Sequence, residues 1–153
     1  MNMKNAIIFS TALFLTLCSC EEDSAVDQQS PASTITNGLT GLTDGYLDSD
    51  AFALEDVRLI GTVLQLDVAY GGGCEEHEFY IVWPEIILAI YPPEFDIYVA
   101  HDANGDMCEA YLRETLEIDI SDNPLQIDAA ALAIAKLGVV NTSNPDQTFY
   151  PNE

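Results

Sequence analysis

The sequence predicts a small antiparallel β-sandwich, mainly β, with one short helix near residues 128–137. From Phe52 onwards, several runs rich in β-branched and aromatic residues are bounded by turn residues. The run from Val63 to Tyr70 alternates apolar and other residues with the period of two that a half-buried strand requires. Strands alternating with long helices are absent from the pattern, which argues against a Rossmann-like fold.

Three further runs predict strands, and a fourth segment predicts the helix. The strand runs are EFYIVW, FDIYVAH and CEAYLRETLEIDIS. In the last of these, the apolar phase slips between Leu112 and Leu116, which predicts a bulge or two shorter strands. The helix is expected to begin after Asp128 as its cap, to continue through alanines and to stop at Gly138.

The first nineteen residues have the composition of a secretory signal peptide. Lys4 precedes an apolar run from Ala6 to Leu17 that is too short to span a bilayer. The end of the run, Leu17-Cys18-Ser19-Cys20, resembles the lipobox of bacterial lipoproteins, which implies lipidation of Cys20. Cys18 is the rival acceptor, although Leu17 is large for the position before it, and an ordinary signal peptide is the other alternative.

A flexible lipidated tether is expected over residues 20–43, followed by the β-sandwich domain over 44–153. The segment from Glu21 to Thr43 has few large apolar residues and many Ser, Thr, Gln and Gly residues. Its opening Glu-Glu-Asp resembles the acidic tract of surface-exported lipoproteins of Bacteroidota. This resemblance implies an outer-membrane protein on the cell surface, with the periplasmic face as the alternative.

The charge balance excludes some partners. Without residues 1–19 the chain retains Arg58, Arg113 and Lys136 against 26 carboxylates, a net charge of −23. Nucleic-acid binding needs clustered Lys and Arg, so it is not expected. The surplus would also repel anionic lipids, so membrane attachment must come from the lipid anchor. A solvated acidic surface and divalent-cation binding are the two interpretations left.

Two cysteines remain once Cys18 is removed and Cys20 is lipidated. In an exported protein, this pair predicts one disulfide between Cys74 and Cys108. Three glycines directly before Cys74 indicate a tight turn or bulge. They do not indicate a phosphate loop, because acidic residues and a strand follow instead of a lysine and a helix.

Two metal sites stand as alternatives to these structural roles. Cys74, His77, His101 and Cys108 have the donor set of a tetrahedral zinc site, although oxidation would consume the thiolates. Asp102, Asn104 and Asp106 match the first three ligand positions of an EF-hand calcium loop. Met107 stands there in place of a glycine and Arg113 in place of the final glutamate. Asn104-Gly105 is equally a strong hairpin-turn signal.

The blocks GGGCEEHEF and NGDMCEA resemble those of an uncharacterised lipoprotein family of Bacteroidota. The general sequence pattern of that family is NigD-like. The resemblance covers about residues 44–122. It implies an exported β-rich domain without an assigned activity, and it implies no catalytic residue or cofactor.

The sequence therefore predicts a binding or accessory module with a protein or glycan partner. A carbohydrate platform is one use of the aromatic residues Tyr46, Tyr80, Trp83, Tyr91 and Tyr98. The alternatives are a metal-assisted hydrolase and a purely structural envelope protein. No hydrolase motif occurs in the sequence, so an enzyme is the less favoured class.

Overall fold

The computed structural model describes residues 33–40, 48–85, 87 and 90–152. Within them, strands β1 to β8 form two sheets, and there is one helix, α1. In chain order the elements are β1 (Thr34–Thr40), β2 (Phe52–Ile60), β3 (Val63–Gly72), β4 (Glu78–Trp83), β5 (Glu94–Asp102), β6 (Ala110–Asp119), α1 (Ala129–Ile134), β7 (Lys136–Asn141) and β8 (Thr148–Phe149). The predicted mainly β sandwich with one short helix is confirmed.

One sheet has three strands and the other has five. The three-stranded sheet has the order β2-β3-β6 and is antiparallel throughout. The five-stranded sheet has the order β1-β4-β5-β7-β8 and is mixed, because β1 pairs with β4 and β5 with β7 in parallel. Purely antiparallel pairing was expected, and the helical connection into β7 makes the second parallel pair feasible.

The core lies between the two sheets and consists of alternate residues of the strands. Phe79, Ile81 and Trp83 of β4 point inwards, as do Leu64 and Leu66 of β3. Burying such side chains contributes roughly 1.5 to 3 kcal/mol each. This packing holds the connecting loops at both ends of the sandwich in fixed positions.

The domain begins earlier than the sequence predicted. Residues 34–40, assigned to the flexible tether, form β1 along the edge of the five-stranded sheet. Ile35 packs against the core, and the Ser33 Oγ lies 2.6 Å from the Tyr70 hydroxyl. The Asn37 amide donates to the Asp122 carbonyl and accepts from the Trp83 indole. These tertiary contacts order a segment whose composition alone favours disorder.

Strand β6 is continuous, with neither a bulge nor a break. Glu114 occupies the inward position between Leu112 and Leu116, which is why the apolar pattern seemed to slip. The Tyr70 hydroxyl donates to Glu114 Oε1 at 2.7 Å and satisfies this carboxylate. Burial, and then the bond to Glu114, raise the pKa of Tyr70 to about 12.

The helix begins where the sequence predicted and ends earlier. The Asp128 side chain accepts from the Ala131 N–H at 2.8 Å, which is an N-cap bond. The helix ends at Ile134, and Gly138 lies inside β7 instead of terminating the helix. Leu132 is fully buried and fixes α1 at the end of the sandwich where β7 begins. We call this the helix end.

Candidate functional site

The opposite end of the sandwich holds most of the residues singled out in the sequence. Loops 73–77 and 103–109 each connect the two sheets there. We call this end of the sandwich the disulfide end. Cys74 of the first loop is bonded to Cys108 of the second, with their Cα atoms 6.0 Å apart. The predicted disulfide is therefore present and joins two loops that are distant in sequence.

The Asn104-Gly105 turn forms as the sequence indicated, but it does not make a hairpin. Both residues have positive φ, 52° and 72°, and the Asp106 N–H donates to the Ala103 carbonyl at 2.9 Å. This is the geometry of a type I′ turn. Strands β5 and β6 belong to different sheets, however, so the turn directs the chain across the sandwich.

The turn places the Asp106 carboxylate in a cradle of backbone N–H groups. Its Oδ2 accepts from Gly73, Cys74 and Glu75 at 2.8, 2.8 and 3.0 Å, and its Oδ1 accepts from Cys108 at 2.7 Å. The side chain has no exposed surface. The N–H groups of Glu75, Cys108 and Cys74 hold the pKa of Asp106 far below its usual range. Asp106 therefore clasps the two loops in addition to the disulfide.

Behind Asp106 lie two buried histidines, His77 at the end of loop 73–77 and His101 in β5. His77 Nε2 is 3.2 Å from Asp106 Oδ2, and His77 Nδ1 is 2.8 Å from His101 Nε2. Both rings are 1% exposed, their centroids lie 5.1 Å apart, and their planes are 17° from parallel. Because the carboxylate only accepts, His77 Nε2 carries a proton. With one proton on each ring, His101 Nε2 then donates to His77 Nδ1.

His101 ends this hydrogen-bonded row. Its Nδ1 is buried and has no hydrogen-bond partner in the described part of the chain. Burial, and then the neighbouring His77, lower the pKa of His101, while the nearby Asp50 and Asp102 oppose this change. A lowered pKa keeps the ring neutral at neutral pH, which agrees with an unprotonated Nδ1. The hydrogen-bonded row of His77 and His101 therefore contributes packing and hydrogen bonding at the disulfide end.

The glycine run is needed because the row lies directly against it. Gly72 has a φ of 151°, and a Cβ there would lie 2.6 Å from His77 Cε1 and 3.0 Å from Asp106 Oδ2. Only glycine allows this approach together with this backbone conformation. Gly71, in contrast, has no heavy atom within 4 Å of such a Cβ.

The structure places the two proposed metal sites differently from the sequence. All four zinc candidates, Cys74, His77, His101 and Cys108, meet at the disulfide end. The two sulfurs form a covalent disulfide, and the facing nitrogens of the two histidines share a hydrogen bond, so these atoms are not free to bind zinc. Of the calcium candidates, Asp102 accepts from the Asn104 N–H while Asp106 points into its cradle, so the three oxygens do not converge as an EF-hand requires.

The aromatic residues do not form a single platform. Trp83 is fully buried in the core and Tyr91, 86% exposed, lies in the β4–β5 connection, while Tyr46 lies outside the described residues. Tyr80 of β4 and Tyr98 of β5 occupy outward positions of the five-stranded sheet, on diagonal sites of the pair. Tyr150 was missed in the sequence. The Asp96 carboxylate fills the outward space at Gly138, the Tyr150 Cε1 lies 3.4 Å from where a Cβ would be, and the Lys136 ammonium lies over the Tyr150 ring, 5.5 Å from its centroid.

The three basic residues of the domain are all paired with carboxylates. Arg58 lies 2.7 Å from Asp67, Arg113 lies 3.0 Å from Glu55, and Lys136 lies 3.2 Å from Glu94. These exposed pairs contribute little to stability. They leave the surface of the described residues without a cationic patch.

No helix among the described residues is long and apolar enough to cross a membrane. Cys20, the predicted lipidation site, lies outside the described residues.

Comparison with known proteins supplies a fold and no function. No protein-family model and no curated protein matches the chain. Among solved structures it is similar to a protein of unknown function (DUF1344) from Bacteroides vulgatus, with a TM-score of 0.51 and 14% sequence identity. The match covers 78% of this chain and 56% of that one, so the chain spans little more than half of that protein's length. Such a likeness shows a shared β fold alone.

Proposed function

We propose that the protein is a lipid-anchored binding module of the outer membrane, exposed on the cell surface, and that it binds a neutral glycan. The observation that carries the binding part is the row of Tyr80, Tyr98 and Tyr150 on the outward face of the five-stranded sheet. We call this surface the tyrosine face. Flat aromatic rings on a rigid sheet provide stacking surfaces for the apolar faces of sugar rings.

The residues between the tyrosines support a preformed platform. Val82, Ala100 and Val140 take outward positions of the same strands and are nearly or fully buried, yet they are not part of the core between the sheets. Because they are covered, they add no contact surface of their own, and the tyrosine rings carry the stacking. Asp96 lies in register with Gly138 at the Tyr150 end of the face and offers a hydrogen-bond acceptor for sugar hydroxyl groups. The high negative charge of the domain favours a neutral glycan over an acidic one.

Replacing Tyr98 or Tyr150 with alanine should weaken glycan binding about tenfold or more, since a lost stacking contact of about 1.4 kcal/mol has that effect. Binding is measured by native affinity gels containing a soluble β-glucan, xylan or mannan, with polygalacturonate as an acidic comparison. Tyr111→Ala is the matched control, because Tyr111 is 63% exposed but lies on β6 of the other sheet. Equal loss in that control, or no retardation by any neutral polysaccharide, contradicts the proposal.

Anchoring through Cys20 makes a second prediction. The Leu17-to-Cys20 match implies that a labelled fatty acid enters the wild-type protein and that Cys20→Ala abolishes the label. Cys18→Ala is the control and should retain the label. Loss of label in Cys18→Ala, with unchanged labelling in Cys20→Ala, would assign the anchor to the other cysteine. Protease treatment of whole cells then distinguishes the cell surface from the periplasmic face.

A further inference from the structure

The sulfurs of Cys74 and Cys108 and a carboxylate oxygen of Asp106 all lie within 4.8 Å of one another. We propose that reduction of the disulfide converts these three residues into a binding site for one soft divalent cation, zinc or cadmium. Two thiolates and one carboxylate are donors that such ions prefer. This site differs from the Cys-His set weighed in the sequence, and it does not depend on glycan binding or on lipid anchoring.

The two loops have a reason to stay together after reduction. Asp106 is bonded to the N–H groups of Gly73, Cys74 and Glu75 in one loop and of Cys108 in its own loop. These charge-assisted bonds do not involve the sulfur atoms, so breaking the disulfide leaves them intact. The cysteine backbones therefore keep their positions, and only the side chains need to rotate for the sulfurs to separate around an ion.

The hydrogen bonds also identify the oxygen that would bind the ion. Oδ2 faces three backbone N–H groups and the His77 ring, which occupies it fully. Oδ1 accepts a single N–H in the described residues, from Cys108, and keeps a lone pair for a metal. His77 remains behind Oδ2 and orients the carboxylate, as a second partner of a metal ligand commonly does. Exposed Cys74 leaves room for water as the fourth ligand.

The negative charge around the two loops favours thiolates that are bound to a cation over thiolates without one. Glu75, Glu76 and Glu109 are exposed next to the two cysteines. Nearby carboxylates disfavour an unbalanced thiolate pair, and a bound divalent cation removes that penalty. Metal binding is thus expected to accompany loss of the thiol protons.

The redox step balances with a dithiol as the reductant. Two electrons and two protons pass from the dithiol to the Cys74–Cys108 bond, which breaks, and the reductant leaves as its own disulfide. Each cysteine is then a neutral thiol. Binding of one divalent ion releases one proton from each, so two protons appear in solution for each ion bound.

The test uses the purified full chain, oxidised and reduced, titrated with cadmium. A phosphine is the reductant in the experiment, because it takes up the oxygen of water and adds no competing thiol. We expect one equivalent of cadmium with thiolate-to-metal absorption in the reduced protein only. Cys74→Ser combined with Cys108→Ser is the control, and its difference from wild type cancels any contribution of Cys18 and Cys20.

Asp106→Asn tests the carboxylate separately. The amide oxygen can still accept from the N–H cradle, but the amide nitrogen replaces Oδ1 and offers no lone pair, so affinity should fall about tenfold or more. Unchanged affinity in this variant overturns the role of Asp106. Equal cadmium binding by the reduced wild type and the reduced double serine variant at micromolar concentration, or loss of the β-sheet circular dichroism signal on reduction alone, overturns the site.

Discussion

Replacing Cys74 and Cys108 together with serine is expected to lower the free energy of unfolding by about 3 to 4 kcal/mol. The disulfide closes a loop with a sequence separation of 34 residues, and without it the unfolded chain gains the corresponding conformational entropy. Urea denaturation followed by circular dichroism measures the difference. The native sheet signal should not change, because the Asp106 clasp continues to hold the loops.

Met107→Ser is the matched control for the disulfide. Met107 lies in the same loop, between Asp106 and Cys108, and is 91% exposed. Its replacement should change the unfolding free energy by less than about 0.5 kcal/mol. If the double serine variant loses less than about 1 kcal/mol of unfolding free energy, the disulfide adds little to the constraint that the Asp106 hydrogen bonds already impose.

Gly72→Ala is expected to lower the free energy of unfolding by about 3 kcal/mol. An added methyl group enters the space of the His77 ring and Asp106 Oδ2, and alanine also resists a φ of 151°. His77 cannot move aside easily, because it is 1% exposed and bonded on both sides. Thermal or urea unfolding measures the effect.

Two other glycines, Gly71 and Gly61, separate the steric cause from the backbone cause. Gly71→Ala meets no atom within 4 Å, and its unfolding free energy should remain within about 0.5 kcal/mol of wild type. Gly61→Ala also meets no atom but has a φ of 65°, so it should cost about 1 kcal/mol from the backbone alone. If Gly72→Ala and Gly61→Ala lower the free energy of unfolding equally, the close approach of His77 to Gly72 contributes nothing to the loss.

The sequence predicts those parts of the fold that local rules determine. Alternation and β-branched residues locate β3, β4 and β5, and Asp128 locates the start of the helix. Counting the cysteines, together with the export that the signal-peptide pattern predicts, predicts the partner of Cys74. Each of these inferences uses either a short window of chain or a count.

The remaining features depend on partners far away along the chain. Strand β1 has little apolar content, and it is ordered by pairing with β4 and by contacts that Asn37 makes with Trp83 and Asp122. Glu114 is an inward residue only because Tyr70 donates to it from β3. The partners of β1 and of Glu114 lie too far away along the chain for a pattern of neighbouring residues to predict them.

Asp106 shows the same limit within the site. Its spacing from Asp102 and Asn104 indicated calcium, because a local motif considers only neighbouring residues. Its hydrogen-bond partners, Gly73, Cys74 and Glu75, lie 31 to 33 residues earlier. The glycine run and the Asn-Gly turn were each recognised in the sequence, but the fit of one into the other arises only from the crossing of the sheets.

The position of β1 has a mechanical consequence for the lipid anchor that we propose at Cys20. The described residues begin with Ser33, near the disulfide end, and Thr34 is in register with Glu78. Tension applied through this anchor would act along β1, parallel to β4, across a ladder that extends to Thr40 and Trp83. The load is then shared by the whole ladder in shear, and the hydrogen bonds must yield together instead of opening one after another.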